Sequence, residues 1–254
     1  MGDYRRMSIH LPALASDPEA PFPPGNAALR QPDGLLAMGG DLTPTRLLNA
    51  YRHGIFPWYS KGQPILWWCP DPRTVFRTDG VYLSSRFRRW LRQSEWTVKS
   101  DTCFERVIAA CANTPRAGQR GTWITPEMTE AYTRLHELGH AHSIEVFSGD
   151  RLVGGLYGMS VGKAFFGESM YSAESGGSKV ALAALARRLS EWDFPLLDAQ
   201  VENEHLLSLG AELWPRDRFL AAITDLTKAP EPAGSWTERF GMVAASELAP
   251  VRTA

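Results

Sequence analysis

Asp198 and Gln200 stand two residues apart in the short run Phe194-Pro195-Leu196-Leu197-Asp198-Ala199-Gln200-Val201. An apolar run that turns to an acid and an amide at i and i+2 predicts a strand pointing both polar side chains to one face. Burying either one unpaired costs several kcal/mol, so that face lines a polar site or a satisfied network. The competing reading is a strand end where polarity returns to solvent, and spacing alone does not separate the two.

Other stretches imitate catalytic motifs without completing them. His136-Glu137-Leu138-Gly139-His140 fits the zinc-protease pattern H-E-x-x-H, which needs both imidazoles on one helical face. Gly139 is a helix stop that puts His140 outside the helix, and no H-x-x-G-x-x-H continuation offers a third ligand, so no metal is expected. The alternative for His136 is a place near a helix C-terminus, where a partly positive imidazole is favoured. Ser169 lacks the second glycine of a nucleophile elbow, which weakens a triad of Ser169, His205 and Asp198. Gly176-Gly177-Ser178-Lys179 ends like a phosphate loop but lacks the earlier glycine at Walker spacing and the alternating glycines of an acetyl-coenzyme A loop. It reads as an anion site at a helix start or as a simple cap.

Arg86, Arg88, Arg89 and Arg92 follow a cap at Ser84 or Ser85, with Phe87, Trp90 and Leu91 on the other side at helical spacing. Such a cluster neutralises phosphates locally, or it is a solvated face. Large rings stand beside glycines or prolines in Phe56-Pro57-Trp58-Tyr59, Trp67-Trp68, Gly121-Thr122-Trp123-Ile124 and Phe165-Phe166. They are core, or they wall an apolar pocket next to Glu168 and Asp198.

The elements that must position these residues follow from caps and periodicity. Thr43-Pro44 starts a helix with Leu47, Leu48 and Tyr51 on its apolar face and Gly54 as its stop. Ile65 to Trp68 and Thr74 to Phe76 read as strands broken by Pro70 and Pro72. Thr125-Pro126 opens a helix that Gly139 ends, and Ser143 to Phe147 alternates as a strand. Arg151 to Gly158 and Lys163 to Glu168 read as a hairpin around a Met159 to Gly162 turn, and Gly177 opens a helix to about Trp192. This order predicts an α+β protein: a small N-terminal domain over 1–71, a sheet domain with helices packed on it over 72–228, and a loose Pro- and Gly-containing tail over 229–254.

The chain has 254 residues, 44% hydrophobic and 22% charged, enough for a real core without staples. A net charge of -1 excludes a generally basic nucleic-acid coat, so a polyanion must meet a local patch. Three cysteines without a C-x-x-C pair suit a reducing cytosol. No apolar leader follows Met1, and no run of about 18 apolar residues occurs. A soluble cytoplasmic protein is the expectation.

Several separated blocks resemble the leucyl/phenylalanyl-tRNA–protein transferase family. They are Gly34 to Leu42, Tyr51 to Tyr59, Pro64 to Arg73, Gly121 to Pro126, Ala141 to Glu145, Phe166 to Met170, and Asp198 to Val201 with Ser208 to Ala211, in family order. The resemblance implies that residues 72–228 adopt the acetyltransferase-like superfold. It also implies an aminoacyltransferase of the leucyltransferase kind, moving Leu or Phe, less readily Met, from aminoacyl-tRNA to the N-terminal Arg or Lys of a protein. That transfer would mark the protein for degradation by an N-degron pathway. A monomer with no metal and no small cofactor is implied, because the donor ester is already activated.

Carried over position by position, Gln200 matches the glutamine proposed to draw a proton from the attacking amine. Asp198 matches the aspartate that hydrogen-bonds and polarises it, and Glu168 matches a carboxylate at the same centre. Trp58, Trp123, Leu156, Phe165, Met170, Leu185 and Leu197 match the pocket for the transferred side chain. Arg86, Arg88, Arg89 and Arg92 fall where the tRNA acceptor stem is contacted. Leu156 and Leu185 stand where a family version has Met and Phe, which leaves the Leu-versus-Phe preference open. Ala199 stands in place of a frequent Cys. Two other readings stay in view: a peptidoglycan-type aminoacyltransferase, with a cell-wall precursor as acceptor, and a non-catalytic tRNA-binding module.

Overall fold

The computed structural model describes residues 11–114, 123–231 and 233–249. In the N-terminal part, Thr43 Oγ1 accepts the Arg46 backbone N–H and Pro44 supplies a preset φ, which together open α1 (Pro44–Arg52). Its inner face buries Leu47, Ala50 and Tyr51, and Gly54 at φ 69° releases the chain. Strands β1 (Ala13–Leu14), β2 (Leu35–Gly39), β3 (Phe56–Pro57) and β4 (Leu66–Trp68) pair in the order β1-β2-β4-β3. Trp67 is fully buried and still donates its indole N–H to Gly39 O at 2.9 Å.

A second sheet has eight strands: β5 (Arg73–Arg77), β6 (Thr97–Ser100), β7 (Ala141–Ser148), β8 (Arg151–Val161), β9 (Ala164–Ser172), β10 (Leu196–Gln200), β11 (Glu212–Trp214) and β12 (Val243–Ala244). Their spatial order is β11-β5-β10-β9-β8-β7-β6-β12. Pairs are antiparallel except β9 with β10, which run parallel because α5 (Gly177–Glu191) carries the chain across between them. Alternation along β8 and β9 gives the sheet two apolar faces. Tyr157, Met159 and Phe166 share one core with α1, with α3 (Phe104–Asn113), with α4 (Pro126–Glu137) and with Trp67. Leu156 and Phe165 share a second core with Val180, Leu185 and Leu189 of α5 and with Phe240.

The first core therefore crosses the boundary expected after residue 71. After the short α6 (Glu204–Ser208), helix α7 (Arg216–Leu226) ties the two parts further, since Arg216 Nη1 donates to Gly25 O at 3.0 Å and to Cys69 O at 2.9 Å.

Three expectations change. The hairpin turn is tighter than Met159 to Gly162, because β8 runs on to Val161 and Gly162 at φ 57° makes the reversal. Residues 229–231 and 233–249 are not a loose tail. Trp236, Phe240, Val243, Ala245 and Ala249 are buried in the second core, and β12 extends the sheet against β6. The aromatic side chains there supply apolar area worth about 1.5–3 kcal/mol each when fully buried. Finally, β10 does not hold Asp198 and Gln200 in simple alternation. Its pairing with β5 slips between them, with Asp198 opposite Val75 and Gln200 opposite Thr74, and Gln200 takes φ 61°.

Where the zinc-like motif lies, α4 ends at Glu137 and Gly139 has φ 76°, so His140 is outside the helix. His136 instead stacks on Phe104 at 4.3 Å and shares a hydrogen bond with Ala141 O. Among the described residues no group of three or more His, Cys, Asp or Glu could hold a metal ion, and no helix is long and apolar enough to cross a membrane.

Candidate active site

The slip in β10 separates the two polar residues chemically. Arg73, first residue of β5, presents its guanidinium edge-on to Asp198: Nε donates to Oδ1 at 2.8 Å and Nη2 to Oδ2 at 2.6 Å, with both side chains buried. Asp198 Oδ1 also accepts the backbone N–H of Gln200 at 2.9 Å. Asp198 thus orients Gln200 through the main chain. The side-chain amide of Gln200 goes elsewhere, donating from Nε2 to Glu168 Oε1 at 3.0 Å. Because a carboxylate takes the NH2 end of an amide, the Gln200 carbonyl oxygen is left for another partner.

Glu168 sits in the middle of β9 and collects two more donors from separate helices. Tyr51 of α1 donates to Oε1 at 2.6 Å and Tyr132 of α4 to Oε2 at 2.9 Å, and the two phenol oxygens also lie within hydrogen-bond reach of each other, a contact that gains a proton of its own only when Glu168 is protonated. Burial pushes the Glu168 carboxyl up to about 7, and the neighbouring Asp198 charge adds to the rise, while the Tyr51, Tyr132 and Gln200 donors hold it down. Burial, and then the Glu168 charge, raises both phenols well above the ordinary tyrosine value, so they stay protonated donors.

Glu168 and Gln200 lie at the wall of a cavity of about 570 Å³, large enough for an amino-acid side chain with an adjoining nucleoside. Trp58, Trp123, Leu156, Phe165, Met170, Leu185 and Leu197, the seven residues expected to form a side-chain pocket, all line it. Phe56, Phe76 and Leu182 line it too, as do Asn203 and His205. Asp198 does not, which suits a residue held behind the surface by Arg73. The Ser169, His205, Asp198 triad has no geometric basis, since both Asp198 oxygens are engaged by Arg73 and the Gln200 backbone. Cys69 is buried, and burial raises its thiol, so no activated thiol stands here. Gly121 and Thr122, the start of one block of the resemblance, lie outside the described residues.

The basic helix α2 (Ser85–Leu91) is capped by Ser84, which accepts the Phe87 N–H. Arg86, Arg89 and Arg92 are exposed and Arg88 is half-buried. Of its apolar side only Leu91 is fully buried, whereas Trp90 stays 38% exposed and stacks on Phe87 with centroids 5.3 Å apart. Phe87 fills the space a side chain at Gly176 would need, and Lys179 Nζ lies 5.6 Å from the Phe87 centroid. The arginines therefore flank the start of α5, whose Leu182 and Leu185 line the cavity. Burial, and secondarily the Lys179 charge, lowers His205, which lines the cavity.

Arg73, Tyr51 and Tyr132 escape the sequence reading. In sequence the tyrosines are buried positions of amphipathic helices, and nothing local distinguishes a core phenol from one aimed at a carboxylate 36 or 117 residues away.

An apolar cavity ending in a carboxylate and an amide, with no activated nucleophile, suits an enzyme that moves an already activated acyl group onto an amine. The comparisons make the class specific. Residues 75–224 match the family model described as leucyl/phenylalanyl-tRNA protein transferase, and residues 40–71 match the model of that family's N-terminal domain. Proteins named leucyl/phenylalanyl-tRNA–protein transferase are similar along nearly the whole chain. One from Xanthomonas oryzae pv. oryzae is 67% identical over 98% of both chains, one from Xanthomonas euvesicatoria is 65% identical over 99% of both, and one from Xylella fastidiosa is 59% identical over 94% of this chain and 100% of its own. The chain belongs to the leucyl/phenylalanyl-tRNA–protein transferase family and is an aminoacyltransferase. Among solved structures, L-PGS from Bacillus licheniformis is 14% identical with a TM-score of 0.35, covering 67% of this chain and 52% of its own. A conserved protein from Staphylococcus epidermidis is 9% identical with a TM-score of 0.40, covering 71% of this chain and 68% of its own. Likeness at that level carries no weight for the fold.

Proposed function

We propose that the chain transfers Leu or Phe, and less readily Met, from aminoacyl-tRNA to the N-terminal Arg or Lys of acceptor proteins. The contact of Gln200 Nε2 with Glu168 at the wall of the apolar cavity supports this most directly. The donor side chain enters between Trp58, Trp123, Leu156, Phe165, Met170, Leu185 and Leu197, where each buried methylene contributes about 0.8 kcal/mol toward Leu, Phe and Met over small residues. The acceptor arrives as an ammonium, since a free α-amine has a pKa of about 8. Glu168 attracts that charge, and a carboxyl near 7 is matched to take its first proton. The Gln200 carbonyl oxygen accepts a hydrogen bond from the neutral amine and aims its lone pair at the ester carbonyl. A C–N bond forms, the bond from the acyl carbon to the ribose oxygen breaks, and the second amine proton leaves with that oxygen. An amide is too weak a base to hold a proton, so Gln200 orients and Glu168 accepts.

Arg86, Arg88, Arg89 and Arg92 contact the acceptor stem. The division into residues 1–71 and an acetyltransferase-like 72–228 belongs to the same proposal, supported by the parallel β9 and β10 and the crossover α5 between them. So do action as a cytoplasmic monomer and the marking of acceptors for degradation. Incubating the protein with Leu-tRNA or Phe-tRNA and an Arg-starting peptide, followed by mass spectrometry, should yield the peptide extended by one residue. Transfer only to an amine of a cell-wall precursor, or none at all, would overturn the reading.

A further inference from the structure

We infer that Arg73 is a positioning residue for aminoacyl transfer, acting through Asp198 on the backbone of Gln200; this rests on the transfer reading above. Gln200 is held at φ 61°, a conformation that side-chain-bearing residues rarely adopt and that persists only when its surroundings over-determine it. The group doing so is Asp198 Oδ1, which accepts the Gln200 N–H at 2.9 Å. That oxygen cannot rotate away, because the guanidinium fork clamps both Asp198 oxygens at 2.8 and 2.6 Å. The guanidinium itself lies between two rings, with Phe56 at 4.9 Å and Phe219 at 4.5 Å from its carbon. Phe56 lines the cavity, whereas Phe219 reaches in from α7 and does not.

Positions 73, 198 and 219 thus form a chain of contacts that ends at the amide on Glu168. Among the described residues the guanidinium's hydrogen bonds go to Asp198 alone, and Nη1 has no partner. Nothing else in the network requires an arginine at this place. A lysine keeps the charge but offers a point rather than a planar fork, which frees Asp198 to turn and Gln200 to leave its contact with Glu168.

The test is steady-state transfer to an Arg-starting peptide by Arg73→Lys and Phe219→Leu, each alone and combined with Gln200→Ala. Arg73→Lys should lower kcat on the order of 10- to 100-fold while KM for aminoacyl-tRNA stays within about twofold, as expected when the support behind a reacting group is removed. Phe219→Leu should act in the same direction by less, and it covers the case in which Arg73→Lys does not fold. In the Gln200→Ala background both effects should vanish. Equal losses in both backgrounds, or a change in KM alone, would overturn the inference. A wild-type protein that transfers nothing would instead sink the transfer reading. The inference is then decided by the NMR signals of the Gln200 side-chain amide, which must move in Arg73→Lys and stay put in a core variant of equal stability.

Discussion

At Glu168 one buried carboxyl answers to donors from three parts of the chain, Tyr51, Tyr132 and Gln200. Its value of about 7 places its ionisation within the working range. If Glu168 must be ionised to take the amine's proton, the transfer rate climbs with pH through about 7, and Glu168→Gln removes that limb while the limb from the acceptor amine remains. Tyr51 stabilises the charged form, so Tyr51→Phe raises the carboxyl further and moves the limb to higher pH. A pH–rate series on the three proteins checks both shifts. Stability moves the other way: a carboxyl raised from 4.5 to about 7 on folding keeps its proton while the unfolded chain loses it, so stability falls between these pH values. Glu145 also stands at about 7, pushed up chiefly by burial, but does not line the cavity. Glu145→Gln should therefore flatten the pH dependence of the melting temperature and leave the rate limb in place.

At the scale of elements, the bulged end of β10 and the short helix α2 divide the labour. β10 brings a left-handed residue to the cavity wall, and α2 holds charge beside the entrance of α5 without burying it. Exposed arginines act on a polyanion through counterion release, and they contribute little to stability. Arg86→Ala, Arg89→Ala and Arg92→Ala combined should raise KM for aminoacyl-tRNA by about tenfold or more and flatten its dependence on salt. The kcat at saturation and the melting temperature should change little. A filter-binding titration over a salt series measures the slope, which drops by about one for each phosphate that is no longer neutralised.

For the whole molecule, the last described stretch acts as a strut behind the cavity. Trp236 stacks on His142 at 3.7 Å, donates its backbone N–H to Asp101 Oδ2 at 2.7 Å, and packs 5.7 Å from Phe165, a cavity residue. Lys163 reaches Glu231 at 2.7 Å and Arg239 pairs with the same carboxylate, closing the segment over the sheet. Trp236→Ala should cost about 3–5 kcal/mol, as removal of a buried large ring does. It should also narrow the ratio of kcat/KM between Leu and Phe donors, because Phe165 is deprived of its backing. Thermal melts and donor competition measure the two effects.

What the amino-acid order determined by itself is local. Thr43-Pro44 and Thr125-Pro126 open α1 and α4 because a hydroxyl and a fixed φ act within three residues, and Gly54 and Gly139 end them because only a positive φ continues the chain there. Part of the apolar lining of the cavity, Trp58, Trp123 and Met170, was also legible, through the blocks shared with the family. Other features answered only to tertiary structure. The Arg73 and Asp198 pair joins residues 125 apart, and Tyr51 meets Glu168 across 117, so no periodicity or spacing encodes either contact. Trp236, Phe240 and Val243 fall at i, i+4 and i+7, but this short stretch among prolines and glycines looks like a tail until the second core supplies the surface they cover. The same holds for the polar pair of β10: alternation predicts Asp198 and Gln200 side by side, but pairing with β5 forces the slip that sends one to Arg73 and the other to Glu168. Dihedral preferences and caps are properties of neighbouring residues, whereas bulges, buried ion pairs and shared carboxylates are decided by which distant side chains packing brings together.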